Sequence, residues 1–355
     1  MGTAVQAPNF TRSRRLGYPN VLALLHDIKE FAGTGVQSER LRFLLAQGSD
    51  EQQAASDPWG GYLVPQELLP RVLRVRPEDD PMAAVTPIPM DAPEVYIAAR
   101  VDKDHSTSVT GGIVTTRHPE TVDIAAQRGE LERIHINSHT LASFLYASER
   151  LLNDSPRTFE AWLVASFGEA LADRQRNERL RGTGVGEPLG VLKSPCLITV
   201  AKEGGQSAAT VVAENALKMA SRCWAYDRAG TTWTANPMLR QQLAVLEAPN
   251  GKNLYRFATT DGERDRLCGR PVYYDERASA PGSVGDLVLG AWPEYLDGRY
   301  RPTDIVSSIH VRFAARERAF RFTQRGDGMP WWRSELTPQN ASDTMSPFVT
   351  LAERS

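Results

Sequence analysis

The stretch SPRTFEAWLVASFGEALADRQRNERLRG, residues 155–182, predicts the most convincing helix in the chain, from Pro156 to about Arg181. Ser155 is a suitable N-cap, and Pro156 fits the first helical position, where its missing N–H is not needed. Phe159, Trp162, Leu163, Phe167, Ala170 and Leu171 fall on one stripe, and Gly182 stops the run. Arg174, Arg176, Arg179 and Arg181 crowd the last turns, where the helix dipole favours cations, with Glu178 interrupting them. The dipole alone accounts for these charges.

Upstream of this helix the apolar period changes to two. Val95 and Ile97 alternate, Val122 and Ile124 follow, and Ile134 and Ile136 bracket His135, which predicts a long β-excursion between Pro93 and Thr140. Its middle, Asp102 to Gly112, is polar, rich in Ser and Thr and closed by Gly111-Gly112, as suits the exposed tip of a two-stranded arm. A lone ribbon is marginal in water, so another subunit is expected to pack against it. Before the arm, Gly60-Gly61-Tyr62-Leu63-Val64-Pro65 turns into a helix over Pro65 to Val75. Residues 1–57 read as an extension with a basic start and two short helices, at Pro19 to Phe31 and Ser38 to Ala46.

Downstream, helix and strand alternate. A helix is predicted over Val211 to Trp224, a strand over Thr231 to Ala235, and a helix from Pro237, capped by Asn236, to Asn250-Gly251. Strands follow at Arg270 to Tyr274, Asp286 to Gly290, Val306 to Phe313 and Phe320 to Thr323, the last leading into an Arg325-Gly326-Asp327-Gly328 turn. The fold class is therefore mixed α+β with one β-arm.

The composition is that of an ordinary folded protein: 41% hydrophobic and 24% charged residues over 355 positions, enough for about two domains. With 41 Lys and Arg against 43 Asp and Glu, the net charge of -2 gives no field that would draw the whole molecule onto nucleic acid. Cys196, Cys223 and Cys268 are odd in number and widely spaced, which fits neither a disulfide framework nor a CxxC metal site. The apolar run Val21 to Leu25 is too short to cross a bilayer or serve as a signal core, and Gln6 stands where a myristoylation signal needs Ser or Thr. No membrane is expected as a partner.

The search for chemistry yields little. Gly182-Thr183-Gly184-Val185-Gly186 imitates a phosphate loop but follows a helix and meets Pro188, the wrong context for one. Gly282-Ser283-Val284-Gly285 is one residue short of a nucleophile elbow. His135 and His139 have a metal-ligand spacing only on a helix, and Ile134 and Ile136 mark a strand. Asp261, Glu263 and Asp265 alternate with Arg264 and Arg266 as on a solvated turn. Trp331-Trp332 could stack a base or sugar, yet no basic groove adjoins it, and a packing anchor at a subunit contact is the better reading. Arg12, Arg14 and Arg15 are the candidate nucleic-acid contacts, through phosphate. No catalytic, cofactor-binding or metal-binding residue is expected.

Several segments, in order, resemble the major capsid proteins of tailed bacteriophages, which share the Hong Kong ninety-seven capsid fold. Gly60-Gly61-Tyr62-Leu63-Val64-Pro65 looks like the family's Gly-Gly-x-Leu-Val-Pro entry. Ala147-Ser148-Glu149-Arg150-Leu151-Leu152-Asn153-Asp154-Ser155 looks like its lead into the spine helix, and Glu187-Pro188-Leu189-Gly190-Val191-Leu192 is similar to the segment after that helix. Trp233 to Pro237, Gly269-Arg270-Pro271-Val272, Gly285 to Gly290, Arg325 to Gly328 and Pro347 to Leu351 recur in the expected order. Together they span residues 60–351.

The resemblance implies an N-terminal arm (1–58), a peripheral domain starting at 59–92, an extended loop (93–138), the peripheral domain resuming with the spine helix (139–194), an axial domain (195–300) and C-terminal peripheral strands (301–355). It further implies a structural subunit that assembles with itself as hexamers and pentamers into an icosahedral virion shell, in the bacterial host cytoplasm. The partners implied are a portal protein, scaffold and decoration proteins, and double-stranded DNA packaged without sequence specificity. Some relatives weld loops by a Lys-Asn isopeptide bond. Lys103, the only lysine of the loop, is the candidate contact there, with Asn340 in the C-terminal part, though no local motif supports that pairing. The extension is short for a cleaved scaffolding domain, which points to a separate scaffold or none. Trp331 to Ser346 stands as an insertion, suited to a neighbour or a decoration protein. An encapsulin-like compartment of the same fold is the alternative, and a hydrolase the remote one.

Overall fold

The computed structural model describes residues 26–27, 29–30, 38, 79–117, 126–154, 156–224, 226–260 and 262–355. The chain divides into two compact units, residues 1–71 and 72–355. In the first, His26, Asp27, Lys29 and Glu30 are helical, within the helix expected there. The Gly60 to Pro65 entry, the helix to Val75, Ser155, Val122, Ile124 and Arg12, Arg14 and Arg15 lie outside the described residues.

The second unit opens with β1 (Thr86–Pro89), β2 (Glu94–Arg100), β3 (Leu131–Asn137) and β4 (His139–Ser148), then α1 (Glu149–Asp154) and α2 (Pro156–Arg181). After them come β5 (Ile198–Val200), α3 (Ala213–Arg222), β6 (Thr231–Ala235), α4 (Arg240–Ala244), β7 (Tyr255–Arg256), β8 (Arg266–Leu267), β9 (Arg270–Tyr274) and β10 (Leu287–Ala291). The chain finishes with β11 (Tyr295–Arg312), β12 (Glu317–Pro330) and β13 (Phe348–Leu351).

The helix read first is present in full. Phe159, Leu163, Phe167 and Leu171 are buried at intervals of one helical turn, and Phe167 stacks on Phe322 of β12 with ring centroids 3.6 Å apart. Trp162 and Ala170 sit at the edge of that stripe and are exposed. The C-terminal charges do more than answer the dipole. Arg179 is buried and pairs with Asp297 at 3.2 Å and Asp80 at 3.7 Å, while Arg174 holds Glu178 at 2.6 Å. The Arg179–Asp297 pair ties the end of α2 to β11. Gly182 and Gly190 are required there: a Cβ on Gly182 would strike the Pro188 carbonyl, and one on Gly190 would strike the backbone of Arg181 and Gly182.

The sheet under α2 is four-stranded, in the order β1-β11-β12-β4, with only the β1–β11 pair parallel. The strand expected at Val306 to Phe313 reaches back to Tyr295, with register shifts on both sides of Pro302, whose missing N–H is tolerated at such an irregularity. Arg325-Gly326-Asp327-Gly328 is not a turn. It lies inside β12 and pairs with Asp297 to Arg301 of β11. Glycine serves close packing at this point, since a Cβ on Gly328 would meet the Tyr295 ring at 2.7 Å.

The second sheet has seven strands, in the order β5-β13-β10-β6-β9-β8-β7. Every residue of β6, β10 and β13 is buried, which is why these segments read as continuous apolar or small-residue runs rather than alternating ones. Phe348–Leu351 thus pairs with strands of residues 198–291, whereas the boundary at 301–355 groups it with β11 and β12. The helix after Asn236 is shorter than expected. Asn236 does cap it, accepting from the Met238 N–H at 2.9 Å, but a 3-10 turn and α4 end at Ala244.

Candidate assembly surfaces

The arm is a two-stranded ribbon, with Val95 opposite Ile136 and Ile97 opposite Ile134. Alternation gives it two faces of different character. The apolar face, with Val95, Ile97, Ala99, Ile134 and Ile136, packs on Met90, Leu296, Tyr300, Met329 and Trp331 of the same chain. The expectation that this ribbon depends on another subunit for packing is therefore corrected at its base, where the chain covers one face itself. The opposite face is open. Tyr96, half exposed, stacks on His135 at 4.5 Å under the Arg133 guanidinium at 4.4 Å, and Glu94 lies 3.4 Å from His135. Leu131 on the same face is 73% exposed.

The polar stretch from Asp102 is not a free tip. The Thr337 N–H donates to the Lys103 carbonyl at 2.9 Å and the His105 N–H to the Thr337 carbonyl at 2.8 Å, so this stretch is fastened to the segment after Trp332. Lys103 keeps its ammonium half exposed, 3.9 Å from Glu132, which also meets Arg333 at 3.4 Å. Trp331 and Trp332 are half-buried and donate both indole N–H groups to one carboxylate, Glu294, at 2.5 and 3.2 Å. Arg228 completes that cluster at 2.8 Å. Lys103, Trp331 and Trp332 thus come together around one cavity of about 300 Å³. His105, Trp224 and Glu294 share its wall, and no sequence spacing pointed to them. Asn340 is exposed in the turn beyond.

At the junction of β3 and β4, Asp327 accepts from the Asn137 N–H at 3.1 Å and the Gly328 N–H at 2.8 Å. Burial pushes its carboxyl up, against those two hydrogen bonds and the nearby His139 and His135. Among the described residues, other apolar side chains are also exposed, Phe313 and Val311 at the far end of β11 included. Phe144, Tyr146 and Val306 lie on the sheet face away from α2, Trp162 and Val164 lie on α2, and Met238, Val245 and Phe257 follow β6, α4 and β7.

Chemistry finds no support in the motifs weighed above. The N–H groups of Gly182, Thr183, Gly184 and Val185 are spent within the chain, on Glu178, Glu187, Pro188 and Thr183, so these four are not free to cradle a phosphate. His135 and His139 sit on consecutive strands, and His135 is engaged with Tyr96. Asp265 is buried, not solvated. Burial raises its carboxyl, but the Tyr255 hydroxyl, the Ala258 N–H and Arg240 outweigh that and hold it below the usual carboxylate range. The Cys268 thiol is pushed up to about 11 by burial.

A family model described as the phage capsid family matches residues 60–333. Among solved structures, a chain from the capsid of an empty GTA particle is 19% identical with a TM-score of 0.66, over 85% of this chain and 99% of that one. A chain from Mycobacterium phage Adephagia is 14% identical with a TM-score of 0.56, over 84% and 97%. One from the capsid of Myoviridae phage XM1 is 10% identical with a TM-score of 0.53, over 81% and 96%. No curated protein matches the sequence.

Proposed function

The chain belongs to the phage capsid family, and on that premise we propose that it assembles as hexamers and pentamers into a closed icosahedral shell around a double-stranded DNA genome. Its role as a major capsid shell subunit comes with the family and the fold. The observation that supports the finer reading is the arm. Its base is fixed to the chain's own core, while its outer face presents Tyr96, Arg133 and Leu131 to whatever lies beyond the subunit. A rigidly rooted projection with an open face suits repeated contacts between identical copies, each weak and jointly strong.

No catalytic role is proposed, and a capsid subunit needs none. The portal, scaffold and decoration partners remain part of the same proposal, as does assembly in the host cytoplasm. Arg12, Arg14 and Arg15 are proposed as phosphate contacts for packaged DNA, and Lys103 as an inter-subunit contact. Sedimentation of the purified protein tests the core of this reading. Species in the range of hexamers and closed shells are expected, with nuclease-resistant DNA in the shells from infected cells, whereas a single monomer peak at all protein concentrations contradicts it.

A further inference from the structure

The near-zero net charge of the chain hides a local imbalance. Between Arg299 and Arg325, the hairpin of β11 and β12 carries seven arginines and no lysine against two carboxylates, Asp304 and Glu317. The register sorts these charges by face. Phe322 stacks on Phe167 of α2, so alternation turns Arg321 and Arg325 to the opposite face, with Phe144 of β4 directly across from Arg321. Arg312 joins them, its guanidinium 4.3 Å from the centre of the Tyr146 ring, and Tyr146 meets Phe144 edge-on at 4.9 Å. Arg301 stands directly across from Arg325, and both guanidinium groups lie against the same Tyr300 ring, at 5.1 and 4.9 Å. Like charges placed opposite one another on a sheet are destabilising unless a counter-charge lies over them. The hairpin does not supply it. Glu317 is engaged by Arg312 at 3.1 Å, and Asp304 shares a cleft with Arg301 and Arg325 without reaching ion-pair distance of either. Among the described residues, Arg301, Arg321 and Arg325 have no ion-pair partner, and the Arg325 Nε is buried without a hydrogen-bond partner.

We propose that this face of the four-stranded sheet binds single-stranded nucleic acid, its phosphates meeting Arg301, Arg321 and Arg325 and a base stacking on Phe144. The planar fork of arginine takes phosphate oxygens in pairs, which an all-arginine set does better than lysines would. Phe144 is a half-exposed ring set among cations, and every base has a face that stacks on such a ring. The cleft between Arg301 and Arg325, about 400 Å³ and lined also by Thr303 and Thr323, is large enough for a phosphate group. A base inside a duplex has both faces covered by its neighbours, so a duplex leaves Phe144 unused. An acidic peptide answers the arginines alone. The proposal concerns the subunit itself and does not depend on its assembly into shells.

Fluorescence anisotropy on the full chain, as dissociated subunits, tests it with a labelled oligothymidylate of about 20 nucleotides. The parent should bind this strand more tightly than a duplex of the same length, with an affinity that falls as salt rises. Arg321→Ala should weaken binding at least about fivefold and reduce the log–log salt slope by about 0.7, the loss of one phosphate contact. Phe144→Ala should weaken it at least about fivefold with the slope unchanged. Arg256→Ala removes an exposed arginine of β7, on the other sheet, and should change binding by less than about twofold. Arg12, Arg14 and Arg15 are present in every variant, so the differences report the sheet face, and circular dichroism and melting temperature should match the parent's throughout. Equal losses at Arg256 and Arg321, a duplex bound as tightly as the single strand, or no effect of Phe144→Ala overturns the proposal. So does absence of binding at low salt. Displacement of the oligonucleotide by polyglutamate at equal charge overturns it as well, in favour of an acidic protein segment.

Discussion

Arg354 forms an ion pair with Asp286 in which both side chains are fully buried: Asp286 leads into β10, and Arg354 follows β13, its pairing neighbour. The guanidinium also donates to the Thr210 carbonyl at 2.7 Å, and the Arg354 backbone N–H to the Gly282 carbonyl at 2.7 Å. Arg354→Met should cost about 3–5 kcal/mol, because it leaves Asp286 charged and unpaired in the interior. Adding Asp286→Asn should recover part of that loss. Denaturant unfolding of dissociated subunits measures both.

The stacked pair Phe167–Phe322 joins α2 to the four-stranded sheet. Phe167→Ala should destabilise the subunit by about 3–5 kcal/mol. Trp162→Ala, one turn away on the same helix but outside the buried stripe, should cost under about 1 kcal/mol in the isolated subunit. A larger loss for the second would mean that the stripe is misassigned.

Of the fold, the parts written in a short period were legible. The stripe of α2 repeats every turn and the arm alternates every residue, so each was visible within one window of sequence. Arg325 to Gly328 was misread because Gly and Asp signal turns locally, while these glycines answer Tyr295 and Gly298 on the neighbouring strand. Asp265 was misread for the same reason, since its partners Tyr255 and Arg240 lie outside its own charged run. The cluster that joins Lys103, Glu294, Trp331 and Trp332 draws on three separate segments, with Lys103 far upstream of the other two, which no local pattern records.

Glu294 is the shared acceptor of both indoles and of Arg228. Glu294→Ala should cost about 2–3 kcal/mol through the donors left unpaired. Amide exchange should rise between Trp331 and Thr337, the segment that fastens Lys103 and His105. Glu294→Gln keeps an acceptor and should lose less.

Asp327 supplies a pH signature. Its folded carboxyl titrates above the usual carboxylate value, so the folded subunit holds this proton more tightly than the unfolded chain does. Its contribution is fully present below the unfolded value and is lost as pH rises through the raised one. Asp327→Asn cannot titrate. The melting temperature of the parent relative to this variant should therefore rise as pH falls from 7 toward about 4, and a difference that is flat or falls over that range contradicts the assignment.

Electron microscopy of the purified recombinant protein in negative stain, at several salt concentrations, tests the central claim most directly. Closed shells of uniform size, or rings of five and six subunits, are the predicted result. A field of dispersed monomers under every condition would contradict it.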